Sequence, residues 1–335
     1  MAAAKILIEK DVDLRPLLDK TCAVIGYGAQ GRAHALNLRD SGVCVVVGLP
    51  PKSRSRSIAR RDGLCLTTTT KAVARADVIF LALPDTKMGE VFEQEIAPNL
   101  RAGQMLLFAH GFAILYRTIV APNDVDVVMV APKGLGSMVR TQFEEGKGVP
   151  CVFAIEQDAT GRARQLALAY SKAIGGTRAG VIETTFREET EADLFAEQAV
   201  LCGGMTALVQ AGFETLVSAG YQPEVAYFEC LHELKFIVDL MHRAGISGMR
   251  ARISETAKWG DVTAGPKMID ANVKAQMREV LEKIRSGKFA KEWLRETGSG
   301  RKRYDKLLKE GSNLPIEKVG ERLRTLMPWL HDKAQ

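Results

Sequence analysis

Apolar and polar positions change rhythm once along this chain. Up to about residue 184, short apolar runs alternate with segments whose apolar positions recur every three to four residues. The runs at 21–25, 43–49, 77–83, 104–109 and 126–130 are short and rich in apolar and β-branched residues, as strands are. Between them, segments such as RAHALNLRDSG, TTTTKAVARA and KMGEVFEQEIAPNL read as helices. This alternation predicts an α/β fold with an N-terminal Rossmann-type, doubly wound parallel sheet. Past Ile182-Glu183-Thr184-Thr185 the strand rhythm stops. Helical periodicity then covers 186–202, 205–219, 223–244, 249–258, 266–286 and 288–297, broken by glycines and by Pro223. The predicted organisation is a nucleotide-binding domain over 1–184, an all-helical domain over 185–329 and a tail over 330–335. Segment 223–244 is apolar nearly all round. It must be buried on several sides, within its own domain or against a second copy.

The first strand runs into Gly26-Tyr27-Gly28-Ala29-Gln30-Gly31, a GxGxxG turn followed by a helix and a second strand. In a βαβ unit of this length each glycine has its own role. Gly26 permits the tight turn, Gly28 lets backbone N–H groups approach a pyrophosphate, and Gly31 lets helix pack on strand. The helix N-terminus then faces the phosphates. The second strand chooses the dinucleotide. NAD-binding units usually end it with an acid for the ribose 2′-hydroxyl. Here it ends Gly48-Leu49-Pro50-Pro51, followed by Lys52, Ser53, Arg54 and Ser55. Two hydroxyls and two cations suit a 2′-phosphate, so NADPH is expected. The bland alternative is a basic loop that touches nothing. Just past the other predicted strands lie Pro84-Asp85, His110-Gly111 and Pro132-Lys133-Gly134. Ligands of such sheets bind beyond the strands' carboxyl ends, so His110 and Lys133 are candidates to meet an anionic substrate or developing charge.

The helical half carries two acidic pairs, Asp193 with Glu197 and Glu229 with Glu233, each spaced i, i+4 in an apolar setting. At about 100° per residue, each pair shares a helix face. Like charges there destabilise an exposed helix, and buried unpaired charge is costly. The pairs therefore need partners. Lys and Arg on a solvated face are one choice. A hard divalent cation is the other, and all-oxygen ligands favour Mg²⁺ or Mn²⁺.

Composition narrows the classes. The chain has 335 residues, enough for two domains, and a formal net charge of +6 whose excess lies near 52–61 and 300–309. Aromatics are only 6% and no basic stripe interleaves with them, which argues against nucleic-acid binding. The opening MAAAKILIEKDVD turns acidic too early for a signal peptide. No uncharged apolar run reaches the roughly 20 residues that span a bilayer. Six cysteines without CxxC spacing read as reduced core residues of a cytoplasmic protein.

Read whole, the chain resembles the ketol-acid reductoisomerase family, also called acetohydroxyacid isomeroreductases, in its short bacterial class. The resemblance runs from about residue 5 to about 328. It rests on AVIGYGAQGRAHALNLRDSG, LPD, FAHGF, VMVAPKG, IGGTRAGVIETTFREETEADLFAEQAVLCGG, AGFETLVSAGYQPEVAYFECLHELKFIVDLM and SGMRARIS. It implies isomerisation of 2-acetolactate or 2-aceto-2-hydroxybutyrate by an alkyl shift that uses Mg²⁺ alone. Reduction by NADPH to the 2,3-dihydroxy acid of valine and isoleucine biosynthesis then follows. It implies two Mg²⁺ ions, with Asp193 bridging them and Glu197 binding one. Glu229 and Glu233 would come from a partner subunit, Ser254 would contact substrate carboxylate, and His110 and Lys133 would stand near substrate and nicotinamide. Gly136 counts with the cofactor-binding positions. Interlocked helical domains imply a homodimer at least, with a dodecamer as the larger alternative. A metal-bound hydroxide, Glu233 and Lys133 all stay open as the group that moves the first proton.

The chain departs from the short-class pattern in places. Pro50 stands where Arg is common and Lys52 where Gly is common. Ala113, Leu135 and Ser137 also differ, and Arg252 and Glu255 flank Ser254 where Ser and Asn are frequent. These are neutral drift or the marks of a paralogue acting on another ketol acid. Two other classes compete: a metal-free hydroxyacid dehydrogenase, which needs no carboxylate quartet, and a noncatalytic NADP-binding sensor.

Overall fold

A computed structural model of the chain describes residues 4–330. The tail expected at 330–335 lies outside the described residues but for Leu330. The chain divides into two units between Ala192 and Asp193.

The first unit is built on a nine-stranded sheet ordered β1-β9-β8-β7-β6-β5-β2-β3-β4. Its strands are β1 (Ile6–Leu7), β2 (Thr21–Ile25), β3 (Cys44–Gly48), β4 (Cys65–Thr67), β5 (Val78–Leu81), β6 (Met105–Phe108), β7 (Asp126–Pro132), β8 (Cys151–Gln157) and β9 (Val181–Glu183). The six strands from β4 to β7 are all parallel. Their side chains show why. Successive residues of a strand face opposite sides of the sheet. In β2, Cys22 and Val24 enter one core while Ala23 and Ile25 enter the other. In β5, Val78 and Phe80 part from Ile79 and Leu81 in the same way, and in β6 Met105 and Leu107 part from Leu106 and Phe108. A strand apolar at every position needs cover on both faces, which is the parallel-sheet arrangement. Helices Ala29–Asp40 and Ala163–Ala173 cover one face. Thr69–Arg75 and Asp85–Val91 cover the other.

The sheet is not wholly parallel. β8 runs antiparallel to β7, and β1 antiparallel to β9. The chain leaves β7 at Pro132 and returns opposite it at Cys151, so the intervening helix Gly136–Glu144 closes a wide hairpin rather than a crossover. β1, β4 and β9 are too short to show a period in sequence. The cysteines are all free, but only Cys22 and Cys151 are core residues. Cys44 and Cys65 are the first residues of their strands and are exposed, as is Cys202, and Cys230 is half-buried.

The second unit is helical and thinly cored. Val209, Phe213, Ala226, Tyr227, Ile316 and Leu323 make one small buried cluster among helices Gly203–Ser218, Pro223–Tyr227 and Pro315–Arg324. Many large apolar side chains stay uncovered, among them Val225, Phe228, Phe236, Ile246, Trp259, Val262 and Met268. The segment expected to be buried on several sides is thus only partly buried within one chain, at Ala226 and Tyr227. Its helical run breaks at Gly245, where φ is +70°. Two further boundaries differ from the periodicity. Ser254 caps a new helix, Glu255–Met268, and Asp270 caps another, Ala271–Arg285. Helices Lys302–Ser312 and Pro315–Arg324 follow the six expected segments. The helical stretch 186–218 is, by length and composition, apolar enough to cross a bilayer, yet little of it is buried.

A buried imidazole makes the first unit acid-sensitive. His34 is fully buried, stacks on Phe80 with ring centroids 4.4 Å apart, and its Nδ1 lies 3.0 Å from the Tyr170 hydroxyl. Burial pushes its pKa down to about 3, against an ordinary 6.5. The unfolded chain therefore binds a proton that the folded chain refuses. Stability is full above the unfolded value and is lost as pH falls from about 6.5 towards 3, by an amount on the order of a few kcal/mol. Urea denaturation of the wild type should show a midpoint that drops between neutral pH and the acid side, and His34→Gln should flatten that slope. An unchanged slope in the variant would contradict the assignment.

Candidate active site

Strand order reverses at β2, with β3 on one side and β5 on the other. This is the switch point at which open α/β sheets bind ligands. A cavity of about 910 Å³ opens there. Gly26, Tyr27, Gly28, Ala29, Gln30 and Gly31 line it after β2, and Leu49, Pro50, Lys52, Ser53 and Ser55 after β3. Pro84 and Asp85 follow from β5, and Ala109 and His110 from β6. Gly26 holds φ +99°, and a Cβ on it would stand 2.2 Å from the Ala82 carbonyl oxygen. Nothing lies within 4 Å of a Cβ built on Gly28, so that face of the turn is open to a ligand. Helix Ala29–Asp40 starts at the cavity and aims its free N–H groups there.

Two of the expected cofactor positions do not line the cavity. Arg54 is exposed, and Gly136 is buried below the glycine turn. A Cβ on Gly136 would come within 2.4 Å of the Ala29 backbone, and the Gln30 side-chain amide donates to the Gly134 carbonyl at 3.0 Å. The 134–136 segment thus braces the turn from beneath. Arg56 is likewise taken up structurally: its guanidinium donates to the carbonyls of Leu49 at 2.8 Å and Thr67 at 3.2 Å.

The charged centre of the first unit is a residue that sequence reasoning missed. Glu189, only 4% exposed, sits on helix Phe186–Ala196. Its carboxylate accepts from Lys133 Nζ at 2.7 Å, from the Gly111 backbone N–H at 3.1 Å, and faces His110 Nδ1 at 3.1 Å. Burial alone would raise its pKa. The His110 hydrogen bond, followed by the charges of His110 and Lys133, outweighs burial and holds it below the usual carboxylate range. His110 and Lys133, expected from separate strand ends, are therefore brought to one carboxylate. Gly111 makes this approach feasible, since a Cβ there would stand 2.2 Å from Thr190 Oγ1. One signal was present in sequence: Glu189, Asp193 and Glu197 form a run spaced by four, one turn longer than the pair already noted.

The acidic pairs of the second unit lie at distorted helix turns. A π-turn spans Glu197–Leu201, with the Cys202 N–H on the Glu197 carbonyl at 3.0 Å. A second spans Phe228–His232, with the Glu233 N–H on the Phe228 carbonyl at 2.9 Å. Glu229 and Glu233 therefore do not sit on a regular α-helical face as their spacing suggested. The inserted π-turn re-aims the side chains, a feature frequent at functional sites. Asp193 is half-buried, while Glu197, Glu229 and Glu233 are exposed within one chain. Among the described residues, no three of these four carboxylates gather at ligand distance from one another. Neither Glu229 nor Glu233 has a cation partner there. An all-carboxylate donor set fits Mg²⁺ or Mn²⁺. Ser254 is exposed and its hydroxyl accepts from the Ala257 N–H at 3.1 Å. Arg252 donates to Gly248 and Glu255 pairs with Lys258, so both departures from the family pattern are satisfied locally.

A glycine-turn crevice on a parallel sheet, followed by a helical unit, defines the class of nicotinamide-nucleotide oxidoreductases. A solved semialdehyde dehydrogenase NAD-binding protein from Cupriavidus necator shares that fold at TM-score 0.60 and 19% identity, covering 80% of this chain and 99% of its own. More specific matches settle the family. Residues 16–180 match the acetohydroxy acid isomeroreductase NADPH-binding domain, and residues 186–329 match the ketol-acid reductoisomerase C-terminal domain. A ketol-acid reductoisomerase (NADP(+)) of Saccharopolyspora erythraea is 57% identical over 98% of both chains. The structure of an NADH-preferring ketol-acid reductoisomerase from an uncultured archean superposes at TM-score 0.94, with 45% identity over 96% of this chain and 99% of that one. This chain belongs to the ketol-acid reductoisomerase family, and it is an isomeroreductase enzyme.

Replacing Glu189 leaves Lys133 and His110 without their shared acceptor. Glu189→Gln should slow turnover at least tenfold and destabilise the first unit by roughly 1–3 kcal/mol, the cost of an unmade hydrogen bond to a charged group. Steady-state rates and denaturation midpoints check both. Wild-type turnover in the variant would remove Glu189 from the site.

Proposed function

We propose that this isomeroreductase uses NADPH and two divalent cations, at a site completed by a second copy of the chain. The reading is carried by the cavity that runs from the glycine turn to His110, with no acid where an NAD-binding strand would place one. Family membership alone does not choose the dinucleotide, since one relative is an NADH-preferring enzyme. Lys52, Ser53 and Ser55 on the cavity wall supply a cation and two hydroxyls for a 2′-phosphate, with Arg54 exposed beside them. The glycine turn and the start of helix Ala29–Asp40 take the pyrophosphate.

The substrates are 2-acetolactate and 2-aceto-2-hydroxybutyrate. Bound cations would polarise the ketone and lower the pKa of the neighbouring hydroxyl, and NADPH would supply the hydride. Asp193 and Glu197 from one chain, with Glu229 and Glu233 from its partner, would hold the cations. The residues of the first unit have narrower tasks. Glu189 fixes Lys133 and His110, so two nitrogen donors keep one orientation through both steps. Lys133, held against a carboxylate, is suited to stabilise negative charge and to relay a proton. Ser254 would meet the substrate carboxylate.

Oligomerisation is supported by the uncovered apolar surface of the second unit. Each such side chain removed from water stabilises an assembly by roughly 1.5–3 kcal/mol. A second copy is favoured over lipid because the exposed stretch at 186–218 also carries Asp193 and Glu197, which a bilayer would exclude. A cytoplasmic location fits the free, partly exposed cysteines.

The test is NADPH oxidation with racemic 2-acetolactate, with and without Mg²⁺, and with NADH as control. Oxidation should require Mg²⁺ and should favour NADPH. Full activity in excess chelator would contradict the reading and point to a metal-free dehydrogenase. Activity only on the isomerised intermediate, 3-hydroxy-3-methyl-2-oxobutyrate, would mean that the pocket has changed and that Arg252 and Glu255 matter.

A further inference from the structure

NADPH selectivity needs two cradles at a fixed separation: one for the pyrophosphate, one for the 2′-phosphate. The glycine turn supplies the first, and the segment Lys52–Ser55 the second. Past the paired strands β2 and β3, the backbone tie on this side is the Gly26 N–H donating to the Gly48 carbonyl at 3.3 Å, short of Lys52–Ser55. Something must hold the second cradle to the first once the chain has left β3. Helix Ser55–Arg61 carries the second cradle at its start. Arg56 ties that start to the carbonyls of Leu49 and Thr67. Directly after the helix comes Asp62.

Asp62 reaches back to the other cradle. Its carboxylate accepts from the Tyr27 hydroxyl at 2.8 Å, and Tyr27 is the second residue of the glycine turn. It also accepts a two-pronged contact from Arg32, with Nε at 2.7 Å and Nη2 at 2.9 Å, and Arg32 lies one turn into the helix that faces the pyrophosphate. The Asp62 carbonyl accepts from Arg39 on the same helix. The Asp62 side chain is only 14% exposed, and Tyr27 is 5% exposed. Three donors thus converge on a sheltered residue. We propose that Asp62 is a positioning residue for cofactor selectivity, a cross-brace that fixes the 2′-phosphate cradle relative to the pyrophosphate cradle.

Several features separate this from a merely stabilising ion pair. Asp62 cannot bind the 2′-phosphate itself, because like charges repel. Any selective effect on NADP must then pass through the position of Lys52, Ser53 and Ser55. The hydrogen bonds from Arg32 and Tyr27 keep its pKa below the usual carboxylate range, so the brace is charged throughout neutral pH. Rigid support of a binding shell by its neighbours is what a geometrically exacting ligand requires.

The inference rests on the reading of residues 52–55 as the 2′-phosphate site, so the test includes a variant of that site. Dissociation constants of NADP⁺ and NAD⁺ are measured by calorimetry on the full-length protein without metal or substrate. Asp62→Ala should weaken NADP⁺ about tenfold and NAD⁺ less than about twofold, so selectivity falls about five- to tenfold. Tyr27→Phe removes a single hydroxyl contact, keeps the fold, and should shift selectivity in the same direction by less. In steady state the KM for NADPH should rise while kcat at saturation holds. Ser55→Asp should reverse the preference directly. If the wild type prefers NADP⁺ and Ser55→Asp reverses that, but Asp62→Ala and Tyr27→Phe weaken both dinucleotides equally or neither, the brace is overturned alone. If Ser55→Asp also leaves the preference unchanged, the 2′-phosphate reading falls and takes the brace with it.

Discussion

The first unit depends on one buried carboxylate. Glu189 is taken out of water, and burial of that charge is tolerated only because Lys133, His110 and the Gly111 N–H all turn towards it. Those donors come from the ends of β6 and β7, and the acceptor from helix Phe186–Ala196. The same contacts that make the charge tolerable therefore fix how that helix meets the sheet. Gly111 is part of the arrangement, because a side chain there would strike Thr190.

The second unit poses the opposite problem. Glu229 and Glu233 are exposed with no cation partner among the described residues, and much of its apolar surface is uncovered. The proposed assembly would answer both. A second copy laid against this unit would bury the apolar faces, and cations would compensate the acids. Metal binding and assembly would then stabilise each other, since each holds helices that the other needs in place.

Much of this was legible in the sequence, for identifiable reasons. Strands β2, β3, β5, β6 and β7 are long enough for their apolar runs to stand out, and the glycine turn carries its own chemistry. β1, β4 and β9 have two or three residues each and no readable period. β8 was missed although it is seven residues long, and its antiparallel sense depends on where the chain returns after helix Gly136–Glu144. At the site, the acidic pairs and the residues beyond the strand ends could be read from spacing. Glu189 was not singled out because its role comes from three partners distant in sequence. The π-turns were also invisible, since a helix with one wider turn has nearly the same hydrophobic pattern as one without it. Arg56 and Asp62 show a further limit. Both look like ordinary surface charges in sequence, and only their hydrogen bonds reveal them as supports.

The central claim is that a working site draws Asp193 and Glu197 from one chain and Glu229 and Glu233 from another. The most direct measurement mixes two inactive variants, Asp193→Asn and Glu229→Gln, by co-expression and assays the product for Mg²⁺-dependent acetolactate turnover. If the site is shared, a mixed pair holds one intact site, and about a quarter of wild-type activity should return for random pairing in a two-fold dimer. Activity no higher than that of the separate variants, with mixed oligomers shown to be present, would contradict the claim and place all four carboxylates of each site in one chain.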